Sequence, residues 1–87
     1  MSMVQDLSCP DRRVVGMKQV LRGAGQSALK KVFIAKDADE AVVAKLKAVC
    51  EQNRIECDMS CTMHQIGNAC QIDVGSACAA IVKKEND

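Results

Sequence analysis

The chain has 87 residues, 48% of them hydrophobic, enough for one packed domain with a modest core and too few for two. Twelve Lys and Arg against 11 Asp and Glu leave a formal charge of +1, so there is no global positive field of the kind that coats nucleic acid without specificity. No apolar run reaches the length of a membrane span, and Met1-Ser2-Met3-Val4-Gln5-Asp6 lacks the basic-then-apolar order of a secretory signal; a cytoplasmic chain with six reduced cysteines is expected.

Met1 to Cys9 reads as a short leading helix, broken by Pro10-Asp11, and residues 1–11 are expected to form a poorly ordered margin. Arg12-Arg13-Val14-Val15 then makes a short strand that runs into Gly16. In the helix that follows, Met17, Val20, Leu21 and Ala24 recur on one apolar face while Lys18, Gln19 and Arg22 share another. Gly16 allows close approach to the backbone, and the first turn offers unpaired N–H groups at a positive dipole end, which suits a phosphate or a base edge. Gly23 and Gly25 mark its weakening end.

Lys31-Val32-Phe33-Ile34-Ala35-Lys36 is an apolar run clamped by lysines, the pattern of a central strand buried on both faces. Asp37 is the N-cap candidate of the next helix, with Glu40 three residues on, and that helix runs to about Asn53. Its stripe is Val42, Leu46, Val49 and Cys50, which leaves Val43 on the shoulder and partly available to a partner. Ile55, Cys57 and Met59 alternate as in an edge strand with one wet face. Thr62 and Gln65 form a capping box for a helix in which Met63, Ile66 and Cys70 share a face, and Gly67 inside it requires close packing to offset its cost. Gln71 to Ser76 reads as a loop, Ala77 to Val82 as a second buried strand of small residues, and Lys83 to Asp87 as a disordered tail. The order predicts a layered α/β domain, residues 1–87, with helices covering about four strands.

Four separated motifs carry a resemblance: the strand ending in Gly16 with Lys18, Gln19 and Arg22; Ile34-Ala35-Lys36-Asp37-Ala38-Asp39; Ile66-Gly67-Asn68-Ala69-Cys70; and Val74-Gly75. In that order, over about Arg12 to Val82, the chain resembles the kink-turn RNA-binding ribosomal protein family (large-subunit protein seven-Ae and its relatives), most closely the short bacterial members of the YbxF type. The resemblance implies a three-layer α/β/α sandwich with a mixed sheet, no cofactor, and binding to RNA where tandem sheared G·A pairs bend the duplex. It places Gly16, Lys18, Gln19 and Arg22 in the widened major groove. Lys18 and Gln19 replace an asparagine and a glutamate of the longer members, and a lysine there still matches the guanine acceptors N7 and O6. Arg22 for lysine keeps the charge and adds a fork suited to phosphate. Asp39 would orient a basic side chain and Val43 would pack on a nucleotide. Val74 would meet an extruded nucleotide, while Gly75 and Ser76 let the backbone approach phosphate. Met63 stands where several members carry lysine, which implies one charged contact fewer.

The implied partner is a kink-turn in ribosomal RNA or an mRNA leader, bound by a monomer, with no membrane and no small-molecule substrate. The remaining residues have plainer readings. Cys50, Cys70 and Cys78 occupy apolar positions where free cysteine acts as a small hydrophobe. Cys57 and Cys61 lack the two-residue spacing and second pair of a zinc site. His64 stands alone and exposed, and no nucleophile–base pair, phosphate loop or dinucleotide fingerprint points to an enzyme. Phe33, the single aromatic residue, is predicted buried, which excludes base stacking on exposed rings. The competing reading is a protein-interaction adaptor on the same fold, since fold does not dictate function.

Overall fold

In the computed structural model, which describes residues 7–83, a 3-10 turn at Pro10–Arg12 precedes seven regular elements. These are β1 (Arg13–Val15), α1 (Met17–Gly25), β2 (Leu29–Ile34), α2 (Glu40–Gln52), β3 (Glu56–Asp58), α3 (Met63–Ala69) and β4 (Cys78–Val82). The strands form one mixed sheet in the order β1-β4-β2-β3, with β4 antiparallel to both β1 and β2, and β3 parallel to β2. The steps from β1 to β2 and from β2 to β3 move the same way across the sheet. A common crossover hand therefore lays α1 and α2 on one face. The chain then returns from the edge to β4 through α3, which covers the other face.

Two cores record this three-layer sandwich. Val20 and Ala24 of α1 and Leu46 and Cys50 of α2 pack on Leu29, Val32, Ile34, Cys78 and Ala80. Opposite them, Ile66 and Cys70 pack on Phe33, Ala35, Ala79 and Ile81. The strict alternation of β4 between the two cores is the period-2 pattern of a strand buried on both sides. Its small side chains let α1 cross directly over it. Burial raises the thiol pKa of Cys50 and of Cys78 to about 11, so both remain neutral and pack as apolar groups.

Several boundaries differ from expectation for tertiary reasons. β2 begins at Leu29 and not Lys31, because a bulge between Leu29 and Lys31 inserts Lys30 and restores the register against β4. Lys31 consequently lies within the strand and pairs with Glu56 (3.2 Å) and Asp58 (3.7 Å) across the parallel ladder. The N-cap of α2 is Asp39, whose carboxylate accepts from Ala41 N at 2.9 Å, and not Asp37. Gly23 is no fraying point: a Cβ there would stand 2.7 Å from Leu29 Cδ2, so its bareness lets β2 pack against α1. Cys57 is exposed on the edge strand beside buried Cys50, whereas Cys61 packs with the α3 core, so the two lie toward opposite faces.

Of the expected leading helix, residues 1–6 lie outside the described residues, as do residues 84–87 of the tail. Leu7, at 0% exposure, belongs to the α3-side core, a burial worth about 1.5–3 kcal/mol for a leucine. Lys83 still donates its backbone N–H to Ala28 O. Among the described residues no helix is long and apolar enough to cross a membrane.

Gly67 shows how tightly α3 is docked, since a Cβ there would lie 2.2 Å from the carbonyl oxygen of Val74. Gly67→Ala is expected to cost about 2 kcal/mol in urea denaturation, because backbone must move. Gly25→Ala, at an exposed helical position with nothing within 4 Å, should be neutral or stabilise by about 0.5–1 kcal/mol.

Candidate nucleic-acid interface

Because β1, β2 and β3 run in one direction, α1, α2 and α3 all begin at the same end of the sheet. Four hydrogen bonds draw that end together. Gly16 N donates to Cys78 O (3.0 Å), Ala35 N to Ala77 O (2.8 Å), Lys36 N to Cys61 O (2.9 Å) and Met63 N to the Asp37 carboxylate (2.8 Å). Each helix brings the positive end of its dipole, equivalent to roughly half a charge.

The three termini are not equivalent. Asp39 caps α2, and α3 carries both the Asp37 contact and a complete capping box of Thr62 and Gln65. α1 has neither a side-chain cap nor an acidic residue in its first turn. Its N-cap is Gly16, at φ +92° and ψ 156°, a conformation in which a side chain is strained. Nothing lies within 4 Å of the space a Cβ would occupy there, so the backbone is open to a partner. Lys18, Gln19 and Arg22 are all exposed on this helix, which makes α1 the terminus best suited to an anionic partner.

Beside it, the 71–77 loop is pinned on several sides. Ile72 N donates to Gly67 O (3.1 Å), Ser76 N to Met63 O (3.1 Å) and Ser76 Oγ to Cys78 O (2.7 Å). Gly75 lies against the Met63 backbone, where a Cβ would approach to 3.3 Å. From this anchored loop Val74 projects with 71% of its surface exposed, the one large hydrophobic residue so placed among the described residues. The pinned backbone thus presents a bare apolar side chain to solvent.

The model of the ribosomal protein L7Ae/L30e/S12e/Gadd45 family matches residues 1–87. The chain belongs to this family. It is 47% identical to a protein of Caldanaerobacter subterraneus subsp. tengcongensis named as an RNA-binding protein, over 85% of this chain and 90% of that one. It is 31% identical to the RNA-binding protein YbxF of Geobacillus stearothermophilus, over 80% of this chain and 85% of that one. Among solved structures, the Giardia lamblia 15.5kD RNA binding protein superposes with a TM-score of 0.83 at 24% identity, covering 95% of this chain and 70% of that one. A Bacillus halodurans protein of unknown function superposes with a TM-score of 0.81 at 17% identity, covering 99% of this chain and 89% of that one.

In this L7Ae-family chain the candidate residues gather at one end of the sheet but do different work. Gly16, Lys18, Gln19, Val74 and Gly75 are on or at open surface. Arg22 follows one turn along α1, exposed, in the last turn where a cation also complements the dipole. Val43 is half-buried against the α2-side core and borders a groove of about 270 Å³ with Lys36, Lys47 and Met59. Asp39 and Ser76 also have work within the fold. The Asp39 carboxylate caps its own helix, and Ser76 is only 7% exposed with its hydroxyl and N–H both engaged inside the protein. Met63 is partly buried in the α3-side core, so its lack of charge serves packing. Sequence reasoning missed the role of Asp37 as the tie to α3, 26 residues away, because no spacing rule reports so distant a partner.

Gly16→Ala should cost about 1–3 kcal/mol of stability through its positive φ alone, measured by urea denaturation. Ser76→Ala should cost about 1 kcal/mol and increase hydrogen exchange across residues 72–77, the signature of an anchor.

Proposed function

We propose that this chain is a non-catalytic RNA-binding protein that recognises kink-turns, binding the bent form at tandem sheared G·A pairs. The observation that carries the reading is the uncapped start of α1, where Gly16, Lys18 and Gln19 stand open beside the anchored Val74 loop. The names of the relatives support RNA as the partner. Lys18 donates to guanine acceptors in the groove, Gln19 both donates and accepts, and Arg22 takes the flanking phosphate. Val74 packs on an unstacked nucleotide with Gly75 allowing close approach, and Val43 adds a second apolar contact. Asp39 and Ser76 act by holding α2 and the loop in place.

A formal charge of +1 fits binding by shape and local contacts, with little long-range attraction to unbent duplexes. The protein works as a cytoplasmic monomer on ribosomal RNA or a structured leader. It selects the bent conformer from the RNA ensemble, needing no cofactor.

A kink-turn duplex should bind at least tenfold more tightly than the same duplex with the G·A pairs made Watson–Crick, read by gel shift; equal affinity would refute the proposal. Arg22→Ala should weaken binding and reduce the slope of log K against log salt by about 1. An unchanged slope would remove Arg22 from the phosphate contacts.

A further inference from the structure

Two cysteines face each other where the last turn of α2 overlies β3. Ile55 and Met59 pack on the α2-side core, and strand alternation turns Cys57, midway between them, toward the same side. The register agrees: Cys57 is paired with Val32, a member of that core, whereas Glu56 and Asp58 turn the other way to Lys31. From the overlying helix, Cys50 enters the same core with 3% of its surface exposed. The join between the two is short and fixed, since Ile55 N donates to Cys50 O at 2.8 Å. The two thiols interact directly, by hydrogen bonding and by charge.

They differ in access. β3 is the edge strand of the sheet and Cys57 is exposed on it, while Cys50 is buried with Cys78 on its far side. A small oxidant therefore meets Cys57 and not Cys50. Once oxidised to the sulfenic acid, a cysteine is either captured by a neighbouring thiol as a disulfide or carried on to the irreversible sulfinic acid. Cys50 is placed to make the capture. Its burial shields it from an oxidant in solution but not from the sulfur beside it.

We propose that Cys57 and Cys50 form a peroxide-reactive dithiol, in which Cys57 is the site oxidised by hydrogen peroxide and Cys50 resolves it as an intramolecular disulfide. In the first step the Cys57 sulfur attacks one peroxide oxygen. An S–O bond forms, the O–O bond breaks, and the departing oxygen leaves as water with the Cys57 thiol proton. In the second step the Cys50 sulfur attacks the Cys57 sulfur. The S–S bond forms, the S–O bond breaks, and the hydroxyl leaves as a second water with the Cys50 proton. The two sulfurs lose two electrons and the peroxide gains them. The link closes only residues 50–57, whose spacing the Ile55–Cys50 hydrogen bond already sets, and exchange with a small thiol reopens it.

The test treats the full reduced chain with hydrogen peroxide and reads intact mass, thiols titrated in denaturant, and a peptide map. The native chain should lose two hydrogen atoms in mass and two of its six thiols, with Cys50 joined to Cys57, and should recover both thiols in dithiothreitol. Cys57→Ser, a change at an exposed position, should abolish the link. Cys50→Ala should leave Cys57 to gain two or three oxygen atoms at the same dose. A native chain in which Cys57 gains oxygen atoms, joins a second chain or stays reduced, with Cys50 still a thiol, would overturn the proposal. So would an intramolecular disulfide that persists in Cys57→Ser, because it would belong to other cysteines.

Discussion

The carbonyl of Cys78 accepts two hydrogen bonds, one from Gly16 N at the start of α1 and one from Ser76 Oγ at the end of the 71–77 loop. A single backbone oxygen on an internal strand thus holds together the two surfaces argued to meet RNA. Both donors depend on local chemistry. Gly16 reaches the carbonyl in a backbone conformation that favours glycine, and Ser76 can turn its hydroxyl inward because it is nearly fully buried. The carbonyl itself is fixed because β4 is paired on both sides, antiparallel to β1 and to β2.

Sheet topology supplies the rest of the interface. Three strands of one direction place three helix starts together, and their dipoles would sum to an anion-attracting end in a chain of nearly balanced charge. The protein quenches two of them with Asp39, Asp37 and the Thr62–Gln65 box, and leaves α1 bare. Charge is thereby localised without being increased. A site of this kind suits recognition of one RNA shape, since a broadly positive surface would hold straight duplex as well.

Local signals were legible wherever cause and effect lie within a few residues. The capping box at Thr62 formed as read, Met63, Ile66 and Cys70 share the buried face of α3, and the small residues near the C-terminus make an internal strand. Gly67 within a short helix implied close packing, and the neighbour proves to be the Val74 carbonyl. The failures involve partners distant in sequence. Asp37 and Asp39 are interchangeable as caps by composition, and only the arrival of Met63 N at Asp37 separates them. Gly23 looked like a helix breaker because propensity does not know that Leu29 packs against it. Leu7 looked marginal for its position, yet the α3-side core, covered by a helix of seven residues, has room for it.

By itself the sequence determined the order of the elements, the fold class and the residues that could face a partner, because periodicity, caps and glycines act over one or two turns. It also carried enough separated motifs to indicate the family. Tertiary structure decided which of those residues also carry the fold. Asp39 caps α2 while its carboxylate stays exposed, Ser76 turns its hydroxyl inward, and Val74 stands out from a loop held by backbone bonds. Hydrogen-bond capacity is spent wherever the fold brings a partner within reach, and that reach is set by strand direction and register.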